Sequence, residues 1–330
     1  MAVRSSLDIE ALRAETPGCE NVIHFNHAGS SLMPQAVIDA VVSHTVREGE
    51  IGGYEAEDEA AERITAVYDH TATLLGADRS EIAMIENATR AWDMVFYAIP
   101  FRAGDRILTA MAEYHSNVIA FYQMRERGVQ VRAIPARNGA IDTQAMIDAI
   151  DARTRIVTAA SVTFVPGLRT ELAALGHACR KSGALFLVDA VQSCGILDVD
   201  VEACAIDALA TSTSKGLMGI AGLGFLYVRS DWIARLRPAY IGRYSIERGT
   251  GHQSEFEGES YRLMTDARRF EAGNFNWAGI AAANASLGEL LQIGTPAIEA
   301  RVVACAMIAA LPGAGPRRVL EHDAMIELSR

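Results

Sequence analysis

The chain has 330 residues, half of them hydrophobic, and a formal net charge of −11. That length supplies volume for one large core with a smaller second lobe, and the acidic balance argues against a nucleic acid as main partner while allowing a local basic pocket. The longest apolar runs are strand-length and broken by Gly, Asp or Arg, so no membrane span is expected. MAVRSSLDIEALRAE has no apolar core of a signal peptide, and a cytoplasmic location is expected.

Residues 1–24 read as an N-terminal segment, 25–280 as a large domain, and 281–330 as an interdomain helix with the beginning of a small domain. MPQAVIDAVVSHTVREG places its apolar residues on one helical face after Pro34, and EAEDEAAERITAVYDHTATLLGA predicts a second long helix ending near Gly76. The segments EIAMIE, RILTA, VQVRAIP, TRIVTAAS, ALFLVDA, IDALATS and GFLYVR then read as short strands, several separated by helical stretches. This alternation predicts an α/β fold, a mostly parallel sheet flanked by helices.

Between the first two strands lies ENATRAWDMVFYAI, where Asn87 or Thr89 can cap a helix running through Trp92 and Phe96. Because that helix follows a strand directly, the free N–H groups at Ala88 and Thr89 form a candidate phosphate cradle. Every α/β unit has such a junction, so the reading gains weight only alongside other groups. After RILTA, the loop AEYHSNV offers Tyr114 or His115 to lie over a flat ring. Equally, Ser116 or Asn117 could cap a helix beginning at Val118.

The chain carries thirty Lys and Arg side chains but only two lysines, Lys181 and Lys215. Lys181, in CRKSGA, fits the last turn of a helix before its glycine stop, where a cation meets the macrodipole. Lys215 sits in TSTSKGLMGIAGLGF, a stretch of small and hydroxyl residues with no acidic partner nearby in sequence. Upstream, ALFLVDAVQS reads as a doubly buried parallel strand that stops at Asp189. Open α/β sheets bind ligands at such carboxyl ends, which puts Asp189 and Gln192 at a crevice. Asp189 alone could be a cap and Lys215 alone a loop residue. Together they supply what pyridoxal phosphate (PLP) requires, an amine for a Schiff base and a carboxylate for the pyridine nitrogen. GLMGIAGLG precedes a strand rather than following one, unlike a dinucleotide loop. The five cysteines, Cys19, Cys179, Cys194, Cys204 and Cys305, have no metal-site spacing and read as free thiols.

These blocks resemble the class V aminotransferase branch of the fold-type I PLP enzymes, which includes cysteine desulfurases, isopenicillin N epimerase-like proteins and the carbon–sulfur lyase of ergothioneine biosynthesis. The resemblance runs from about Phe25 to Gly294. It implies that FNHAGSSLMP forms the opening turn, with Ser30 near the substrate carboxylate, and that Ala88 and Thr89 of NAT begin the phosphate-binding helix. VDAVQS is similar to the family's DxxQ, implying Asp189 on the pyridine nitrogen and Gln192 on the phenolic oxygen. STSK is similar to SxHK, implying Lys215 as the Schiff-base lysine and Ser212 on the phosphate. RRFEAGNFN resembles the FExGTxN segment, in which a residue at the Asn274 position reaches the phosphate of the neighbouring subunit, so a homodimer with shared sites is implied.

Three departures stand out. Ser214 replaces the histidine that precedes the lysine in desulfurases, and Tyr114 aligns where they stack a histidine, with His115 adjacent. Phe164 stands near a commonly found asparagine. These changes, with the GGY and EYxxN blocks, lean toward the ergothioneine-type lyases. Family members also carry a complete small domain with an arginine for the substrate carboxylate, whereas ALPGAGPRRVLEHDAMIELSR only begins that lobe, leaving Arg243 or Arg269 as the basic candidates. The expected activity is β-elimination on a cysteine-derived amino acid, with transamination or desulfuration as alternatives. A PLP-binding relative without turnover and a nucleotide-binding protein are the rivals from other classes.

Overall fold

A computed structural model describes residues 7–137, 139–247 and 261–309. All seven expected strands form: β1 Ile82–Ile85, β2 Arg106–Ala110, β3 Gln130–Ile134, β4 Thr154–Ala160, β5 Leu185–Asp189, β6 Ala208–Ser212 and β7 Gly224–Val228. They make one sheet in the order β1-β7-β6-β5-β4-β2-β3. β7 runs antiparallel to both neighbours, and the other pairs are parallel.

The central strands are apolar at successive positions because both faces are covered. In β5, Phe186 and Val188 join the apolar cluster on one face and Leu185 and Leu187 the cluster on the other, as the two-residue period of a strand requires. One face is covered partly by the helix Ala61–Leu75, which buries Val67, Tyr68, Thr71, Ala72, Leu74 and Leu75. On the other, the helix Ala88–Phe96 buries Trp92 and Phe96, stacked with ring centroids 4.6 Å apart.

The expected second long helix is two helices, Gly53–Glu59 and Ala61–Leu75. The first follows Gly52, whose φ of 101° stops the preceding helix Gln35–Ile51. The break falls at Ala60, which is buried at 3% exposure. It lets the apolar stretch turn onto the sheet while the acidic stretch stays outside, tied back to Gln35–Ile51 by Arg47 to Glu59 at 2.7 Å.

The connection from β5 to β6, residues 190–207, is a run of turns without a helix. The helix Trp277–Ile293 packs on Gln35–Ile51 and Ala61–Leu75, and Thr295–Ala309 follows it. Most of the segment expected to begin a small domain, from residue 310 onward, lies outside the described residues. Among the described residues no helix is long and apolar enough to cross a membrane.

Candidate active site

The carboxyl ends of β4, β5 and β6 bring Ala160, Asp189 and Ser212 to one edge of the sheet, where they line a cavity of about 230 Å³. Lys215 enters it from the loop after β6. Two glycines hold that loop down: a Cβ on Gly216 would come within 2.4 Å of the Cys194 carbonyl oxygen, and one on Gly195 within 2.3 Å of the Gly216 oxygen. The segments after β5 and β6 therefore touch backbone to backbone. The Thr213 hydroxyl adds to this by reaching the carbonyls of Ile220 at 2.6 Å and Leu223 at 2.9 Å.

Opposite, Asn87, Ala88 and Thr89 line the cavity at the start of the helix Ala88–Phe96. Of the two candidate caps, Asn87 takes the role, its Oδ1 accepting from the Arg90 N–H at 3.0 Å. The positive end of the helix dipole thus faces the same space as the Lys215 amine.

Asp189 is anchored from several sides. Its Oδ1 accepts from the Val191 N–H at 3.1 Å and its Oδ2 from Asn117 Nδ2 at 3.2 Å. Its backbone carbonyl accepts from the N–H and hydroxyl of Ser161 at 2.8 and 3.1 Å. Burial pushes the Asp189 carboxyl above its usual range, opposed by the Val191 and Asn117 hydrogen bonds and by Lys215. Burial likewise lowers the Lys215 pKa, and the Asp189 charge opposes that. Among the described residues the Lys215 side-chain amine makes no hydrogen bond or ion pair, while its carbonyl accepts from the Met218 N–H at 2.8 Å.

Tyr114 forms part of the rim, its ring edge-on to Phe164 with centroids 5.7 Å apart. Gln192 lines the cavity and donates through Nε2 to the Ala28 carbonyl at 3.1 Å. That bond, with Ser31 N–H to the Ser214 carbonyl at 3.0 Å, stitches the FNHAGSS turn to the site. Seven expected residues thus share one cavity: Ala88, Thr89, Tyr114, Asp189, Gln192, Ser212 and Lys215.

Five others do not line it. Ser30 is exposed, its carbonyl bonded to His24 Nε2 at 2.8 Å. His115 is the exposed first residue of the helix His115–Glu126 and packs beside Phe164 at 6.0 Å. Arg243 lines a larger cavity of about 580 Å³ near β1. Arg269 donates to the Ile233 carbonyl at 2.9 Å. Asn274 borders a small hollow shared with Glu86 and Gly222.

Asn117 was legible only as a possible cap. In the structure the helix starts earlier, at His115 with Tyr114 as its N-cap, which frees the Asn117 side chain to face the cavity. Glu113 lies behind it, accepting from Asn117 Nδ2 at 2.9 Å. The four-residue spacing of Glu113 and Asn117 was the available signal.

The donor set fits PLP. An unpaired amine is available to an aldehyde, a buried carboxylate whose burial a pyridinium would relieve stands at the strand end, and a helix N-terminus with the Ser212 and Thr89 hydroxyls can receive a phosphate. Fold and site together define an α/β enzyme of the PLP-binding type.

The comparisons narrow this to one family. The model for class-V aminotransferases matches residues 23–310. A probable cysteine desulfurase of Methanothermobacter thermautotrophicus is 30% identical over 295 residues, 88% of this chain and 72% of that protein. One of Pyrococcus abyssi is 29% identical over 301 residues, with the same shares. The apo structure of a cysteine desulfurase from Thermococcus onnurineus is similar with a TM-score of 0.82 and 26% identity, covering 98% of this chain and 82% of that one. A cystine C–S lyase in complex with cysteine persulfide is similar at a TM-score of 0.79 and 25% identity, covering 88% and 77%. The chain belongs to the class-V aminotransferase family and is a PLP-dependent enzyme, as the sequence resemblance implied.

Proposed function

We propose that this enzyme cleaves the carbon–sulfur bond of a cysteine-derived amino acid by β-elimination, with Lys215 as its catalytic base. The observation that carries the reading is the convergence of Lys215 and Asp189 in a cavity that no described cysteine lines. Similarity to cysteine desulfurases and to a cystine C–S lyase supports a sulfur-bearing substrate.

In this reading Ala88, Thr89 and Ser212 hold the cofactor phosphate, Asp189 the pyridine nitrogen and Gln192 the phenolic oxygen, while Tyr114 covers the ring. Bound PLP supplies an electron sink that acidifies the α-hydrogen of the amino acid. Lys215 Nζ would hold the cofactor in the resting enzyme and would accept that hydrogen as a proton. A desolvated amine with a lowered pKa is suited to the task. The sulfur leaves Cβ with the bonding pair and takes up a proton. For cysteine the balance is one water consumed and pyruvate, ammonia and hydrogen sulfide released.

Desulfuration is the second reading, favoured by the names of the relatives. It transfers sulfur to an acceptor thiol and leaves alanine. Cys194 is a poor acceptor, since burial pushes its thiol up to about 12. Incubation with cysteine, without any 2-oxo acid, separates the outcomes: pyruvate equal to sulfide supports elimination, alanine establishes desulfuration, and dependence on a 2-oxo acid establishes transamination.

The reading includes a cytoplasmic homodimer. It assigns Asn274 to the phosphate of the neighbouring site, Ser30 with Arg243 or Arg269 to the substrate carboxylate, and His115 to the cofactor beside Tyr114. Mixing inactive Lys215→Ala with an impaired Arg243→Ala protein is expected to restore part of the activity through hybrid dimers. Absence of recovery under subunit exchange would remove Arg243 from a role across the interface.

A further inference from the structure

We infer that Asn117 is a positioning residue, bridging Glu113 to Asp189 so that the Asp189 carboxylate is held toward the cofactor's ring nitrogen. The inference rests on the assignment of Asp189 to that nitrogen.

Asn117 is 2% exposed, on the helix His115–Glu126, and its Nδ2 lies 2.9 Å from Glu113 Oε2 and 3.2 Å from Asp189 Oδ2. Two carboxyl groups from different parts of the chain thus meet one end of one amide. Only the NH2 end carries two hydrogens, so it alone can serve both acceptors, and the reverse orientation would face an oxygen to two carboxyl oxygens.

The two carboxyls are unequal. Glu113 Oε1 is closed off from solvent, and burial raises its carboxyl to about 8, with the Asp189 charge acting in the same direction. Near neutral pH, Glu113 therefore tends to keep its proton, while the Asp189 carboxylate has the Val191 N–H and Lys215 to favour its charged form. Asp189 also has the Val191 N–H on its other oxygen and faces Lys215. Glu113 anchors the amide, the amide supplies a donor to Asp189, and the strand end supplies a second. Removal of the amide leaves Asp189 more basic, so that the proton shared with the ring nitrogen moves toward the carboxylate.

The test reconstitutes the enzyme with PLP labelled with 15N in the ring. Asn117→Leu keeps the volume and removes both hydrogens; Asn117→Ser removes the bridge without setting an apolar group against two carboxyls, should the first fold poorly. Both are expected to move the ring-nitrogen resonance toward the unprotonated position and to weaken PLP binding roughly ten- to hundredfold, the loss expected for one hydrogen bond to a charged group. The kcat should fall while KM changes little. Glu113→Gln, which preserves an uncharged acceptor, is expected to leave the resonance in place. An unmoved resonance in folded Asn117 variants overturns the inference. Asp189→Asn separates the two levels: if it too leaves the resonance unchanged, the assignment of Asp189 is at fault; if it alone moves the resonance, Asn117 has no positioning role.

Discussion

The larger cavity beside β1 offers more room and more positive charge than the one at the ends of β4, β5 and β6, about 580 Å³ against about 230 Å³. Arg79, Arg243 and Arg268 line it, and no arginine lines the smaller one among the described residues. Yet two of those arginines already face acids, Arg79 with Asp69 at 3.1 Å and Arg268 with Asp266 at 2.7 Å. Its buried carboxyl is closed as well: Glu271 Oε1 accepts from the Tyr68 hydroxyl at 2.7 Å and the Met84 N–H at 2.9 Å. The smaller cavity instead leaves its amine unpaired, beside a carboxylate and a helix N-terminus. Unspent chemistry, more than volume or charge, distinguishes a reactive site from a satisfied one.

The strongest attempt to break that contrast is Lys215→Ala. Turnover of cysteine, followed by sulfide release, is expected to fall about a thousandfold or more with the base and tether gone. Borohydride reduction should fix the cofactor to a Lys215 peptide in the parent and to none in the variant. Labelling that persists at Lys181 would overturn the assignment.

Glu271→Gln probes the other cavity and should act on stability instead of chemistry. Burial raises the Glu271 carboxyl from 4.5 to about 8. Below about pH 4.5 both folded and unfolded chains hold the proton. Between there and about pH 8 the unfolded chain loses it while the folded chain keeps it, so stability declines as pH rises through this window and levels off above it. Glu113 adds a slope of the same sign. The glutamine keeps an acceptor for Tyr68 and Met84, so melting temperatures across pH 5–8 should show a flatter decline. An unchanged slope would mean that Glu271 does not titrate this way.

The smallest effect is expected at the helix start. Asn87→Ala removes the cap bonded to Arg90 and should cost about 1 kcal/mol of stability by denaturant titration. PLP affinity should weaken only modestly, because the Ala88 and Thr89 N–H groups remain. A loss as large as that of Lys215→Ala would show that the cap side chain itself holds the cofactor.

The strands were legible because buried β-segments are short apolar runs, and ALFLVDA announces both its burial and its polar end. The Lys215–Asp189 pair was legible for a related reason: an unpartnered lysine among small residues and an aspartate closing an apolar run each depart from what packing alone explains. The split at Ala60 was not legible, since alanine there fits a continuous helix and the bend follows from what lies beneath it. Nor was the role of Asn117. A helix begun three residues later would have made it a cap, and only the start at His115 turns its amide toward a carboxylate 72 residues away in the chain.

By itself, then, the chain's order of residues determined the α/β alternation and marked out the lysine and the strand-end carboxylate, because each is written in local pattern, while the family came from the resemblance of its motif blocks. The tertiary structure alone decided that Asn117 bridges Glu113 to Asp189, that Gly195 and Gly216 press the Lys215 loop onto the end of β5, and that Arg243 lies along a different cavity of the same chain. Those outcomes depend on distances between segments far apart in sequence, which packing of the sheet and its helices sets and which no local pattern encodes.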